Sequence, residues 1–210
     1  MKTEFNVLAF NYRGTWGSEG TYTVANSLED AISAIRYVES SLVRELNVDS
    51  SRIAIIGYSF GGGMALLASL TSPSLRKVAC IAGGDLGEVG RRLQQNAEYR
   101  RAIAGLIDQG ISASGFRAQA EQLIAEMIAG IDKYDLVKQA RALSDKDILL
   151  IGGWHDQENI IERHLLPLFR ALQKHDAKQV QIEIFDTDHS LTNVREELAE
   201  KIASWLKRNS

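Results

Sequence analysis

Short apolar runs alternate with longer amphipathic stretches along most of this chain, and that alternation leaves few folds open. The runs Phe5–Phe10, Arg52–Ile56, Lys77–Ala82, Ile148–Ile151 and Val180–Phe185 are rich in Val, Ile, Leu or Phe. They are too short for typical helices, so each reads as a strand. Helical patterns lie between them: Ser27 to Glu45, opened by the box Ser27-Leu-Glu-Asp30, a stretch after Ser59, another from about Glu158 to Lys174, and a last from about Asn193 to Lys207. This order predicts an α/β fold of three layers, a mainly parallel sheet with helices on both faces. Parallel neighbours need a crossover, and right-handed helical crossovers supply it.

One segment breaks the rhythm. Residues 87–144 hold no convincing strand but several amphipathic stretches, Arg91–Asp108, Phe116–Ala129 and Tyr134–Leu143, with Gly110 and Ser112-Ala-Ser-Gly115 between the first two. The segment reads as a helical insertion in a single domain over 1–210, a length that suits one compact core.

The chain carries a formal net charge of −3. It has no excess of cations to neutralise phosphates, which argues against nucleic acid or an anionic membrane as partner and favours a small ligand. The lone cysteine, Cys80, sits inside an apolar run and reads as a buried small hydrophobe, so no disulfide framework or thiolate metal site is expected. Residues 1–20 lack a signal-peptide core, and no apolar run approaches the ~20 residues that span a bilayer; a cytoplasmic location is the expectation.

Gly57-Tyr-Ser-Phe-Gly61 matches G-x-S-x-G, directly after the strand residues Ile53–Ile56 and before Gly62, Gly63, Ala65 and Ala68. The motif demands a sharp strand-to-helix turn that exposes the serine, and the small residues after it let the helix pack close to the sheet. A serine hydroxyl is a weak nucleophile until a base takes its proton, and the base needs a carboxylate to fix its tautomer.

An acid and a histidine each follow a strand end: Gly152-Gly-Trp-His-Asp156 after Ile148–Ile151, and Asp186-Thr-Asp-His189 after Val180–Phe185. Carboxyl ends of parallel strands share one edge of the sheet, where residues distant in sequence converge. His189 is therefore the expected base and Ser59 the nucleophile. Of the other histidines, His164 and His175 stand among charged residues and read as solvated surface, while His155 adjoins the proposed acid. For the acid, Asp156 ranks first and Asp85 second, with Asp186 and Asp188 as further candidates.

With these residues the chain resembles the α/β-hydrolase superfamily, especially dienelactone-hydrolase-like and prolyl-oligopeptidase-like esterases and peptidases. Phe10-Asn-Tyr-Arg-Gly14 and Trp16-Gly-Ser-Glu-Gly20 look like the loop after that family's fourth strand, and the helical insertion sits where the family has its cap. The resemblance spans nearly the whole chain from Phe5. It implies a hydrolase working through an acyl-enzyme, with no metal or other cofactor, whose substrate is a small ester, thioester or amide. The Phe60 N–H would be one donor to the oxyanion; Tyr58, Trp16 and Trp154 are candidate substrate-binding residues.

The departure is at the start. Family members usually have three strands before the one at Phe5–Phe10, and the loop after the third supplies a second oxyanion donor. Two alternatives to an active enzyme follow: a catalytically impaired hydrolase fold serving as a binding or assembly module, and a fragment or alternative start of a longer hydrolase. Phe5–Phe10 also reads as a strand covered on both faces, to be paired with Arg52–Ile56 or covered by a second copy, so a homo-oligomer is expected.

Overall fold

In the computed structural model, which describes residues 5–45 and 49–208, the sheet has four strands: β1 (Ala54–Tyr58), β2 (Lys77–Ile81), β3 (Asp147–Gly153) and β4 (Gln179–Phe185). All neighbours are parallel, in the order β1-β2-β3-β4. Side chains alternate across the sheet with the period of two that a strand imposes. Val78, Cys80, Ile148 and Leu150 enter one core, with Met64 to Leu67, Leu143 and Leu168. Their neighbours Ala79, Ile81, Leu149 and Ile151 enter the other, beneath Trp205 and Phe185.

The helices that cover these faces are α1 (Val24–Tyr37), running through a π turn at Val38–Leu42 into α2 (Val43–Glu45), then α3 (Phe60–Ser69) directly after β1. Between β2 and β3 come α4 (Leu86–Gln95), α5 (Ala97–Ser114), α6 (Ala120–Ala129), α7 (Ile131–Tyr134) and α8 (Leu136–Leu143); α9 (Leu165–Lys174) precedes β4 and α10 (Arg195–Lys207) follows it. A buried network fastens α10 to the sheet. Lys77 Nζ donates to Asp147 Oδ2 at 2.7 Å and to the Trp205 carbonyl at 3.1 Å, while Trp205 Nε1 donates to Asp147 Oδ1 at 2.8 Å. Each charge has a partner and each lone pair a donor, the condition under which a buried ion pair is tolerated.

The run Phe5–Phe10 does not form a strand: among the described residues the outer edge of β1 carries no partner, and residues 6–12 belong to no ladder. Apolar content predicts burial, whereas a strand also requires a neighbour offering matched donors and acceptors, which sequence does not display. The segment is far from covered on both faces, for Val7 is 81% exposed and Leu8 and Phe10 are exposed too. Phe10 stacks edge-on against Tyr12, which meets Phe60 in the same way. Arg13 pins the following loop to α1, pairing with Asp30 at 2.6 Å and Glu29 at 2.9 Å.

Helix limits moved for local reasons. The first helix starts at Val24 with Thr23 as its cap, whose hydroxyl accepts from the Asn26 N–H at 3.0 Å; Ser27 lies one turn inside, donating to the Thr23 carbonyl. In the 87–144 segment the break falls at Asn96, whose side chain caps α5, and α5 runs through Gly110 to end at the left-handed Gly115. A polar side chain able to bond the first-turn N–H groups outweighs an isolated glycine, which a helix tolerates at about 1 kcal/mol. Helix α6 reaches back to the body of the fold, where Glu126 accepts from the Val24 and Ala25 N–H groups at the start of α1.

Candidate active site

The turn between β1 and α3 holds Ser59 at φ 53° and ψ −124°, a backbone state that an L-residue enters only under constraint. The constraint is visible around it: the Ser59 N–H donates to the Ile81 carbonyl at 2.8 Å, and Gly62 closes the turn on the Ser59 carbonyl at 2.9 Å. Gly57 permits this, because a Cβ there would lie 2.0 Å from the Gly61 carbonyl oxygen. Below the elbow, Cys80 is fully buried, and burial pushes its thiol up to about 12, so it serves as packing.

Asp156 and His189 meet Ser59 from the ends of β3 and β4. His189 Nε2 is 2.9 Å from Ser59 Oγ, and its Nδ1 is 2.8 Å from Asp156 Oδ2. Asp156 is buried, and its other oxygen accepts from the Glu158 and Asn159 N–H groups at 2.9 and 2.8 Å. Burial penalises this carboxylate, but those bonds and His189 outweigh the penalty and hold its pKa below the ordinary value. At His189 burial pulls downward while the Asp156 bond and the charges of Asp156, Glu158 and Asp188 pull upward; the net shift is upward. Such a chain of serine, imidazole and carboxylate can pass a proton from hydroxyl to ring while the acid steadies the resulting cation.

The other named residues divide. Tyr58 donates its hydroxyl to the His189 carbonyl at 2.9 Å with its ring beside the imidazole, so it braces the histidine's loop. Phe60 opens α3, where a first-turn N–H has no acceptor within the helix. Its ring lines an apolar cavity of about 360 Å³ together with Ile103, Ile107, Phe116 and Met127. Trp16 is exposed and reaches that cavity only indirectly, edge-on against Phe116 at 5.3 Å. Trp154 is exposed after β3 and is not among the cavity residues.

Asp85, the second-ranked acid, is instead the cap of α4: it accepts from the Gly87, Glu88 and Leu136 N–H groups, and burial raises its pKa to about 6. Asp186 pairs with the exposed His155 at 2.7 Å, and Asp188 accepts from Ser190. His164 is not solvated. It is buried with Nδ1 accepting the Asp85 N–H at 3.1 Å, and burial, with Arg92 nearby, pulls its pKa down to about 4. Its charged sequence neighbours face outward while its own side of the turn faces the core.

This imidazole has a measurable consequence. The unfolded chain takes up its proton near the ordinary 6.5 and the folded chain only near 4, so stability is full above that window and falls with pH through it, by about 3 kcal/mol. Asp85 works in the opposite sense, so the comparison is with a variant. Urea unfolding of wild type and His164→Gln at pH 7 and pH 4.5 should show a steeper loss in wild type; equal losses would mean that the imidazole is charged in the fold.

Among the described residues no cluster of His, Cys, Asp and Glu could hold a metal ion, and no helix is long and apolar enough to cross a membrane. Glu158, which the sequence marks only as the end of a weak metal pattern, His155-Asp-Gln-Glu158, lies beside His189. It stands two places after Asp156, a spacing that could have marked it.

Comparison with known proteins places the fold. The BD-FAE family model matches residues 1–112. An uncharacterized peptidase of Bacillus subtilis (strain 168), YtmA, is 24% identical over 204 residues, covering 97% of this chain and 72% of its own length. The Pyrococcus furiosus esterase Pf2001 superposes with a TM-score of 0.71 at 20% identity, over 97% of this chain and 70% of that one. The Pyrococcus horikoshii acylaminoacyl peptidase does so with a TM-score of 0.64 at 20% identity, over 92% of this chain and 31% of that one. The family model spans more than half of the chain and includes the elbow; the chain therefore belongs to the BD-FAE family, among the serine hydrolases of the α/β-hydrolase superfamily.

Proposed function

We propose that this hydrolase cleaves a small ester, thioester or amide through an acyl-enzyme on Ser59, with His189 as general base and then general acid and Asp156 orienting it. The observation that carries the reading is the unbroken chain of 2.9 and 2.8 Å contacts from Ser59 Oγ through His189 to Asp156. Ser59 Oγ attacks the carbonyl carbon as its proton passes to Nε2; the imidazolium returns that proton to the leaving oxygen, sulfur or nitrogen, and water repeats the sequence to free the acid. The Phe60 N–H takes the developing oxyanion, and the helices of 87–144 act as a cap that shapes the substrate site. No cofactor enters this scheme. We take the compartment to be the cytoplasm, in keeping with a single buried cysteine.

A fluorophosphonate probe should label Ser59, and p-nitrophenyl ester hydrolysis should rise with pH as His189 loses its proton. The midpoint should lie above the ordinary 6.5, since the net shift is upward. A flat profile from pH 5 to 8, with no labelling, would remove the reading.

A homo-oligomer is part of the proposal. Strand β1, which lies at the edge of the sheet, exposes Ile56 and Tyr58, and the N-terminal segment exposes Val7, Leu8 and Phe10, apolar surface that a second copy would cover. Sedimentation should find a dimer or larger species that Val7→Lys weakens. A monomer at micromolar concentration, unaltered by the substitution, would end this part.

A further inference from the structure

The carboxylate of Glu158 stands where a substrate must pass. Its Oε2 is 3.5 Å from His189 Nε2, the ring nitrogen that also holds Ser59 Oγ, and it borders the apolar cavity behind Phe60. Every other residue lining that cavity is uncharged. No lysine or arginine among the described residues pairs with it; the titratable groups beside it are the His189 imidazole and the Tyr58 phenol, which its charge helps to keep protonated. Nor is it a stray side chain on a loose loop. Its backbone N–H donates to Asp156 Oδ1 at 2.9 Å, so the acid that orients His189 also fixes the residue that carries this charge.

An anionic group at the mouth of an apolar pocket is not needed for acyl transfer, and it raises the cost of any anionic substrate entering. It suits a substrate that brings a cation of its own beside an apolar group. We infer that Glu158 is a specificity-determining residue for the hydrolase reading above, selecting acyl groups that carry a free α-amino group next to an apolar side chain. An α-nitrogen lies about 2.5 Å from the carbonyl carbon by standard backbone dimensions. With that carbon about 3–3.5 Å from Oγ in an attack geometry, the ammonium falls beside the ring nitrogen that Glu158 faces. The side chain then fills the space between Phe60, Ile103, Ile107, Phe116 and Met127, and its about 360 Å³ is ample for a leucyl or phenylalanyl group. The substrate class is thus an ester or amide of an apolar α-amino acid with its amine unblocked.

The test compares substrates that differ at the α-nitrogen, and reads the change in their ratio when Glu158 is replaced. Wild type should hydrolyse L-leucine methyl ester with a kcat/KM about tenfold or more above that of methyl 4-methylpentanoate, and should disfavour N-acetyl-L-leucine methyl ester, the charge-assisted contact to Glu158 adding to the intrinsic activation of the carbonyl by the α-ammonium. In Glu158→Gln the ratio should fall about tenfold, toward that of the two esters' uncatalysed hydrolysis, and Glu158→Asp should restore part of it. A loss of general activity would scale both esters alike, so the ratio isolates recognition. Binding supplies a readout independent of turnover: in Ser59→Ala, calorimetry at pH 7 should show L-leucinamide bound about tenfold or more tighter than 4-methylpentanamide, with the difference absent in Ser59→Ala/Glu158→Gln. Equal binding of the two amides, or a binding preference and an ester ratio both unchanged by Glu158→Gln, overturns the inference. Failure of ester hydrolysis with the binding preference intact would strike the hydrolase reading and leave the recognition of the α-ammonium by Glu158 standing.

Discussion

Ser59→Ala should lower ester turnover by roughly 10⁴- to 10⁶-fold while leaving the fold in place, the range seen when a nucleophile is removed from a group of residues that act as a unit. The geometry separates the two effects. The Ser59 backbone is held by bonds from its N–H and its carbonyl, which alanine keeps, whereas the Oγ bond to His189 is the one contact that disappears. Some catalysis over water should survive if, as proposed, the Phe60 N–H and the cavity hold the substrate without the hydroxyl. Thermal unfolding and a pre-steady-state assay on p-nitrophenyl acetate would measure both quantities. The burst of p-nitrophenol in wild type should vanish in the variant, with the unfolding temperature within a few degrees. A burst that persists would move the acyl group to another residue, and a collapsed fold would make the serine a structural group.

The convergence of Ser59, Asp156 and His189 was legible because each follows a strand in the chain, and a parallel sheet aligns its strand ends whatever lies between them. That inference needs topology, not side-chain detail, and the order of β1, β3 and β4 carried it. The second-ranked Asp85 also follows a strand end. What excludes it is the set of three backbone N–H groups that it caps, a fact of the β2–α4 and α7–α8 turns together. His164 was misread for a related reason. Its neighbours Glu162 and Arg163 advertise solvent, but one turn of chain presents both an outer and an inner side, and the histidine occupies the inner one against Asp85.

Phe5–Phe10 shows the deeper limit. A helix satisfies its own backbone, so periodicity within one segment can reveal it; a strand is completed by another segment, and an apolar run carries no record of whether that partner exists. The same limit hid the cavity. Its lining comes from α1, α3, α4, α5, α6 and the loops around Tyr22, Phe116 and Glu158, segments whose convergence no local pattern encodes. Composition could reveal that a small ligand was the fitting partner; the placing of one carboxylate against that cavity required the fold.

The elbow also sets the largest stability effect that we expect. Gly57→Ala would put a methyl group 2.0 Å from the Gly61 carbonyl oxygen, 2.4 Å from its carbon and 2.7 Å from the Gly62 nitrogen. All three are backbone atoms of the first turn of α3, so no side chain can swing aside to admit the methyl. Relief demands that the turn open or that α3 slide along the sheet. Sliding is blocked, because Met64, Leu66 and Ala68 are fully buried and Gly62 already approaches Cys80 and Gly83. The cost should exceed about 4 kcal/mol, a large part of the stability of a domain this size. Gly105→Ala is the matching control. Gly105 lies inside α5 with nothing within 4 Å of an added Cβ, so alanine there should stabilise by up to about 1 kcal/mol through helix propensity and a less disordered unfolded chain. Denaturant unfolding of the two variants should therefore move the midpoint in opposite directions. If Gly57→Ala unfolds at the wild-type midpoint, the tight turn that holds Ser59 is looser than its contacts require, and the strained serine cannot be what presents the hydroxyl to His189.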